Sequence, residues 1–213
     1  MDKYIEPDFI SSAVITIDTQ KDTLDGQPLE IPGTSLALPK IKMILDAYRQ
    51  KELPIIHIVR IYKKDGSNVE LCRKKGVENG AEILLQGTPG CEPAPEMFNN
   101  RIALEPELLL AGGVQNVGPN EVIIYKPRWG AFYNTPLHPY LKGHGINTLV
   151  FTGCNYPNCP RASIYEASER DFKIVLVEDA LSGLYSRGKQ EMENIGVRIT
   201  KAEKVRDAVL HGK

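Results

Sequence analysis

Apolar positions along the chain gather into short, β-prone runs separated by stretches with helical spacing. The runs are Ser12–Ile17, residues 54–60 (Pro-Ile-Ile-His-Ile-Val-Arg), Glu121–Tyr125, Thr148–Thr152, Phe172–Glu178 and Val197–Thr200. Their near-continuous Val, Ile and Leu content suits strands buried on both faces of a parallel sheet. Between them, about Ser35 to Gln50 places Leu36, Ile41, Ile44, Leu45 and Tyr48 on one helical face. Further helices are predicted from about Arg101 to Ala111, Pro136 to His144, Cys159 onward, 187 to 195 and 202 to 210. Strands alternating with helices mean βαβ units, an α/β class with helices on both faces of a six-stranded sheet. Residues 61–118 are a long connection carrying Asp65-Gly66, Gly87-Thr88-Pro89-Gly90 and Gly112-Gly113. Connections this long in a compact domain are usually lids, binding loops or interface arms.

Three strand ends carry reactive side chains. Asp18 follows the first strand and Lys126 the third. After the fourth, Gly153 stops the strand, Asn158 is a good N-cap, and Pro160 is tolerated only in a first helical turn. Cys159 is therefore expected at a helix N-terminus, where free N–H groups and the helix dipole favour a thiolate and can hold an oxyanion. If the three ends converge, Lys126 stabilises the thiolate and Asp18 takes the thiol proton and later returns it to a leaving group. The thiolate attacks a carbonyl carbon, and water releases the resulting thioester. None of the four His is well placed as a base. His57, on its strand with no second ligand nearby, is not expected to bind metal. Cys72 and Cys91 have no metal-like partner and are expected to be structural or incidental. No nucleophile elbow, Walker loop or dinucleotide fingerprint is present, and Cys154 and Cys159 lack C-x-x-C spacing.

Composition narrows the field. The 213 residues are 42% hydrophobic and 25% charged with a formal net charge of -1, which is globular and gives no reason to expect nucleic acid or an anionic membrane. No apolar run approaches a membrane span, and the N-terminus has no signal-peptide core, so a cytoplasmic protein with reduced thiols is expected.

On these residues the chain resembles the isochorismatase-like cysteine hydrolases. Ile17-Asp18-Thr19-Gln20-Lys21-Asp22 resembles the family's opening Asp-x-Gln-x-Asp. Lys126-Pro127-Arg128-Trp129-Gly130-Ala131-Phe132 is similar to its lysine motif. Gly153 followed by Cys159 matches its Gly-x-x-x-x-x-Cys motif, and Glu178-Asp179-Ala180 its later strand end. The resemblance implies one domain over residues 1–213 with a three-layer α/β/α sandwich and a mostly parallel Rossmann-like sheet. It implies a catalytic triad of Asp18, Lys126 and Cys159, an oxyanion hole at Asn155 and Cys159, and a non-proline cis peptide at Cys154–Asn155. It also implies a homodimer or homotetramer acting on a small molecule, with no cofactor. Candidate substrate contacts are Gln20, Arg128, Trp129, Phe132 and Tyr156; Arg161 could hold a carboxylate or pair with a nearby acid. Tyr156, Pro157 and Pro160 depart from the usual residues, which bears on the substrate. The nicotinamidase Asp-x-His-x-His site is missing around His57–Tyr62, so no metal is expected. The expected activity is hydrolysis of a small amide, carbamoyl or ureido compound. The alternatives are isochorismate-type vinyl ether hydrolysis, which Cys159 argues against, and a binding protein that keeps the fold.

Overall fold

The computed structural model describes residues 2–212. Its strands are β1 (Ser12–Ile17), β2 (Ile55–Val59), β3 (Val114–Gly118), β4 (Glu121–Tyr125), β5 (Thr148–Gly153), β6 (Lys173–Leu181) and β7 (Arg198–Thr200). Its helices are α1 (Thr34–Gln50), α2 (Leu71–Glu78), α3 (Pro106–Leu110), α4 (Leu137–Gly143), α5 (Cys159–Ser168), α6 (Ser186–Glu193) and α7 (Ala202–His211). The sheet order is β3-β4-β2-β1-β5-β6-β7, and every pairing except β3·β4 is parallel. The sheet therefore has seven strands where six were expected. The addition, β3, is a polar edge strand whose Val-Gln-Asn-Val-Gly run has no apolar alternation. Helix α2 was also unanticipated, since Leu-Cys-Arg-Lys-Lys-Gly-Val-Glu has no apolar stripe. The helix expected over 101–111 shrinks to α3, because Pro106 fits a first turn and the Gln115 amide holds the backbone of Ala103 and Glu105 before it.

Alternate residues of each strand feed opposite layers. Val14, Val150, Val175 and Val177 pack under α1 and α7 with Ile41, Leu45 and Val205. Ile15, Ile17, Leu149, Phe151 and Leu176 pack on the other face with Leu137, Leu141 and Ile164. Chain order reverses across β1, with β2 on one side and β5 on the other. That is the switch point at whose carboxyl ends open α/β sheets hold ligands.

Register aligns those ends. Ile17 lies opposite both Ile58 and Gly153, and Val59 opposite Tyr125. Asp18 N–H then bonds Ile58 O (2.9 Å), Cys154 N–H bonds Ile17 O (2.9 Å), and Lys126 N–H bonds Val59 O (3.0 Å). Gly153 makes the closest approach possible. At φ +111, a Cβ there would sit 2.2 Å from Ile17 O. Gly153→Ala is expected to destabilise the fold by more than about 2 kcal/mol, read as a lowered thermal midpoint. An unchanged midpoint would contradict this account of the β1–β5 junction.

His57, buried on β2, links Thr16 Oγ1 (2.8 Å) to Glu121 Oε1 (2.8 Å). Arg49 from α1 closes bidentately on the same carboxylate, at 2.9 and 2.6 Å. Burial holds the His57 pKa below its ordinary value. Burial opposes the Glu121 charge, but the bonds from His57 and Arg49 outweigh it and hold its pKa down at about 2. Both folded values lie below the unfolded ones of 6.5 and 4.5, so the stability involved is present above those values and is lost as pH falls. Glu121→Gln should therefore lower the thermal midpoint at neutral pH and flatten its acid slope between 4.5 and 2. Parallel slopes in the two proteins would count against this network.

Candidate active site

Asp18, at the end of β1, takes a left-handed conformation with φ +47. Such a conformation is uncommon for a non-glycine residue and needs surrounding support. Three donors hold the Asp18 carbonyl: Gln20 N–H (2.9 Å), Thr23 Oγ1 (3.0 Å) and Cys154 Sγ (3.0 Å). The turn aims the carboxylate at Lys126, whose Nζ lies 2.8 Å from Asp18 Oδ2. The same Nζ lies 3.3 Å from Cys159 Sγ and donates to Arg128 O at 3.2 Å. One buried ammonium thus touches both the acid and the thiol. Asp18 Oδ1 is buried without a hydrogen-bond partner.

Lys126 is 1% exposed. Burial alone would discharge it, but the Asp18 carboxylate outweighs that cost and raises its pKa. The thiol responds in the opposite way to the expectation from the helix terminus. Burial, and then the negative charge of Asp18, push the Cys159 pKa far up, and Lys126 only partly offsets them. This environment favours the protonated thiol over the thiolate. Cys159 does open α5, with Pro160 in the first turn, but the Asn158 side chain makes no capping bond. Neither the Asn155 N–H nor the Cys159 N–H has a hydrogen-bond partner among the described residues. No cis peptide bond occurs among those residues, so Cys154–Asn155 is trans.

Asp18, Lys126, Cys159, Asn155 and Trp129 line one small cavity, together with Arg60, Glu70 and Arg73. Leu29, Ile31 and Leu84 form an apolar part of its wall, and Asn158 also borders it. Its volume is about 20 Å³, room for a water and little more. Helix α2, which brings Arg73 to the cavity, forms its roof, and any larger molecule enters only if the lining moves. A shallow outer basin of about 360 Å³, lined by Trp129, Pro157, Asn158, Arg161, Ala162 and Tyr165, shares Trp129 and Asn158 with the cavity. A larger groove of about 490 Å³ beside Lys21 and Pro89 contains none of the three strand-end residues.

The other expected contacts lie elsewhere. The Gln20 amide is consumed by the backbone of Arg60 and Cys91, tying the β1 end to the long connection. Phe132 packs in the core near Phe172 and His138, with the Arg170 guanidinium over its ring. Tyr156 is fully buried, its hydroxyl donating to Gly188 O at 2.8 Å. Arg128 is exposed and donates to the carbonyls of Asn68 and Pro127. Arg161 pairs with Glu191 at 2.7 Å. Of the aromatic candidates only Trp129 reaches the cavity. Cys154 and Cys91 are buried, with pKa values pushed up to about 12 chiefly by burial.

The sequence reading missed Arg60, Glu70 and Arg73. Arg60 closes an apolar strand run, the same signal that marked Asp18 and Lys126, and could have been found. It is 1% exposed, pairs with Glu70 at 3.0 Å, lies over the Tyr62 ring, and donates to Lys126 O at 2.8 Å. Arg73, in a weakly patterned helix, carried no such signal. Among the described residues no group of three His, Cys, Asp or Glu side chains is arranged to hold a metal ion, and no helix is long and apolar enough to cross a membrane.

The family profile described as Isochorismatase domain matches residues 12–203. An isochorismatase family protein from Desulfovibrio vulgaris superposes with a TM-score of 0.79 at 26% identity, covering 93% of this chain and 98% of that one. A probable inactive nicotinamidase of Arabidopsis thaliana is 26% identical over 195 residues, 88% of this chain and 91% of that protein. Ureidoacrylate amidohydrolase RutB of Methylobacterium radiotolerans is 36% identical over 170 residues, 74% of this chain but 59% of that longer protein. The chain belongs to the isochorismatase family of hydrolases.

Proposed function

We propose that this protein hydrolyses the C–N bond of a small amide, carbamoyl or ureido compound, with Cys159 as nucleophile, Asp18 as proton carrier and Lys126 as the fixed charge between them. The observation that carries the reading is the double contact of Lys126 Nζ, 2.8 Å from Asp18 and 3.3 Å from Cys159. Deprotonating a buried thiol is costly in isolation. Here the proton passes from Sγ to Asp18, and the negative charge moves from one neighbour of Lys126 to the other. The ammonium keeps a counter-ion throughout, so the step needs little reorganisation.

The thiolate then bonds to the carbonyl carbon, and the oxyanion accepts hydrogen bonds from the unpartnered N–H groups of Asn155 and Cys159. Collapse breaks the C–N bond, and Asp18 gives its proton to the departing nitrogen. Water enters, loses a proton to Asp18 and attacks the thioester or thiocarbamate. The S–C bond breaks and the sulfur regains its proton. The amidohydrolase name of the Methylobacterium relative supports this bond class. The label of the Arabidopsis relative favours a second reading, a binding protein that keeps the fold without turnover.

Ammonia release from a panel of small amides, ureides and carbamoyl compounds tests the choice. The wild type should turn over at least one compound, and Cys159→Ala should lose about a thousandfold or more of that rate. A panel without turnover favours the binding protein.

The charge arrangement makes a sharper prediction. Burial raises the thiol pKa most and stays in Asp18→Asn, but the variant removes the negative charge that raises it further, leaving Lys126 as the charged group beside the sulfur. Alkylation of Cys159 by iodoacetamide at neutral pH should then quicken by about tenfold or more, while hydrolysis falls by about a hundredfold or more. In the wild type, exposed Cys72 should react before Cys159. Slower alkylation of Cys159 in Asp18→Asn would show that the carboxylate does not suppress the thiolate.

A further inference from the structure

The roof of the cavity holds a cation that the hydrolytic steps leave unused. Of the cavity's charged residues, Lys126 faces Asp18 at 2.8 Å and Arg60 faces Glu70 at 3.0 Å. Among the described residues Arg73 has no carboxylate within ion-pair distance. Its one polar partner is neutral, the Tyr62 hydroxyl, which accepts from Nη1 at 2.9 Å. Three cations therefore stand against two carboxylates around the space above Cys159. The excess charge is half-buried, where it is screened less than at an open surface.

The guanidinium is also held in place. It lies 5.3 Å from the Trp129 ring centroid, and Trp129 lines the same cavity. Tyr62 is fixed in turn by donating to Glu70 at 2.6 Å, and Glu70 by Arg60. A chain of buried contacts thus runs from behind Lys126 to Arg73 and sets its position relative to the thiol. With Trp129 against the ring face and Tyr62 on Nη1, the Nε and Nη2 donors have no partner among the described residues. That is the donor pair a planar carboxylate accepts bidentately. A lysine could not offer the same fork.

We infer that Arg73 is a specificity-determining residue that binds a carboxylate of the substrate, and that the substrate class is small ureido acids, with the carboxylate on Arg73 and the carbamoyl carbon at Cys159. The orientation of the carbamoyl group rests on the hydrolytic reading above. The carboxylate contact does not, and can be tested by binding alone.

Calorimetric titration of Cys159→Ala with N-carbamoylglycine and with its neutral amide, N-carbamoylglycinamide, separates the possibilities. The acid should bind about tenfold or more tighter than the amide. Adding Arg73→Gln, which keeps a donor near Tyr62, should abolish the preference, and Arg73→Lys should restore part of it. Equal affinity for acid and amide in Cys159→Ala, no binding of either, or a preference that survives Arg73→Gln would overturn the inference. Thermal midpoints of the Arg73 variants within a few degrees of the parent exclude a folding defect, and the lysine variant supplies the answer if glutamine is poorly folded. Hydrolysis is scored separately. Acid-selective binding by Arg73 with no ammonia released by the wild-type protein would sink the hydrolytic reading and leave the anion contact standing.

Discussion

A lysine that is almost wholly removed from water keeps its charge in this fold because a carboxylate lies 2.8 Å from its Nζ. Desolvation of either ion alone would cost several kcal/mol. Together they are tolerated, and their fields act on the adjacent sulfur. Burial raises the pKa of the Cys159 thiol, Asp18 raises it further, and Lys126 lowers it. The pair also holds a cation 3.3 Å from the sulfur.

The scaffold reaches this arrangement through backbone register more than through side-chain packing. Adjacent strands end level, so the residues that follow β1, β4 and β5 emerge into one crevice. Gly153 lets two of those strand ends meet at a separation that no side chain permits. The left-handed turn at Asp18 swings its carboxylate toward Lys126, and the Thr23 hydroxyl and Cys154 thiol pin that turn from behind. Cys154, unremarkable by sequence spacing, is thus part of the positioning of the acid. Gln20 has a comparable task, binding the long connection to the strand end instead of touching the cavity.

Much of this was legible in the sequence for a plain physical reason. A parallel strand buried on both faces writes an apolar run, and a polar residue immediately after it must face the carboxyl-end crevice. That logic located Asp18 and Lys126, and it applied equally to Arg60. Cys159 was found from the turn chemistry around it, but its protonation could not be. Helix-terminus position argues for a thiolate, and only the three-dimensional burial and the nearby carboxylate reverse that. The polar edge strand β3 and the roof helix α2 write no periodic pattern, because α2 buries none of its residues and β3 buries only Gln115. Aromatic residues near the lysine motif were the least readable. Phe132 and Tyr156 fill the core, and only Trp129 turns to the cavity, a choice made by packing that local sequence does not encode.

In the mechanism we propose, Cys159 sulfur becomes covalently bonded to the substrate's carbonyl carbon, its proton passing to Asp18 while Lys126 keeps its charge. Intact-mass and peptide analysis of the wild-type protein, acid-quenched at short times during turnover of a carbamoyl compound, tests that bond directly. The account predicts a carbamoyl adduct confined to the peptide carrying Cys159, decaying as substrate is exhausted. Turnover with the sulfur unmodified at every quench time, by a protein in which Cys159→Ser is equally active, would contradict it.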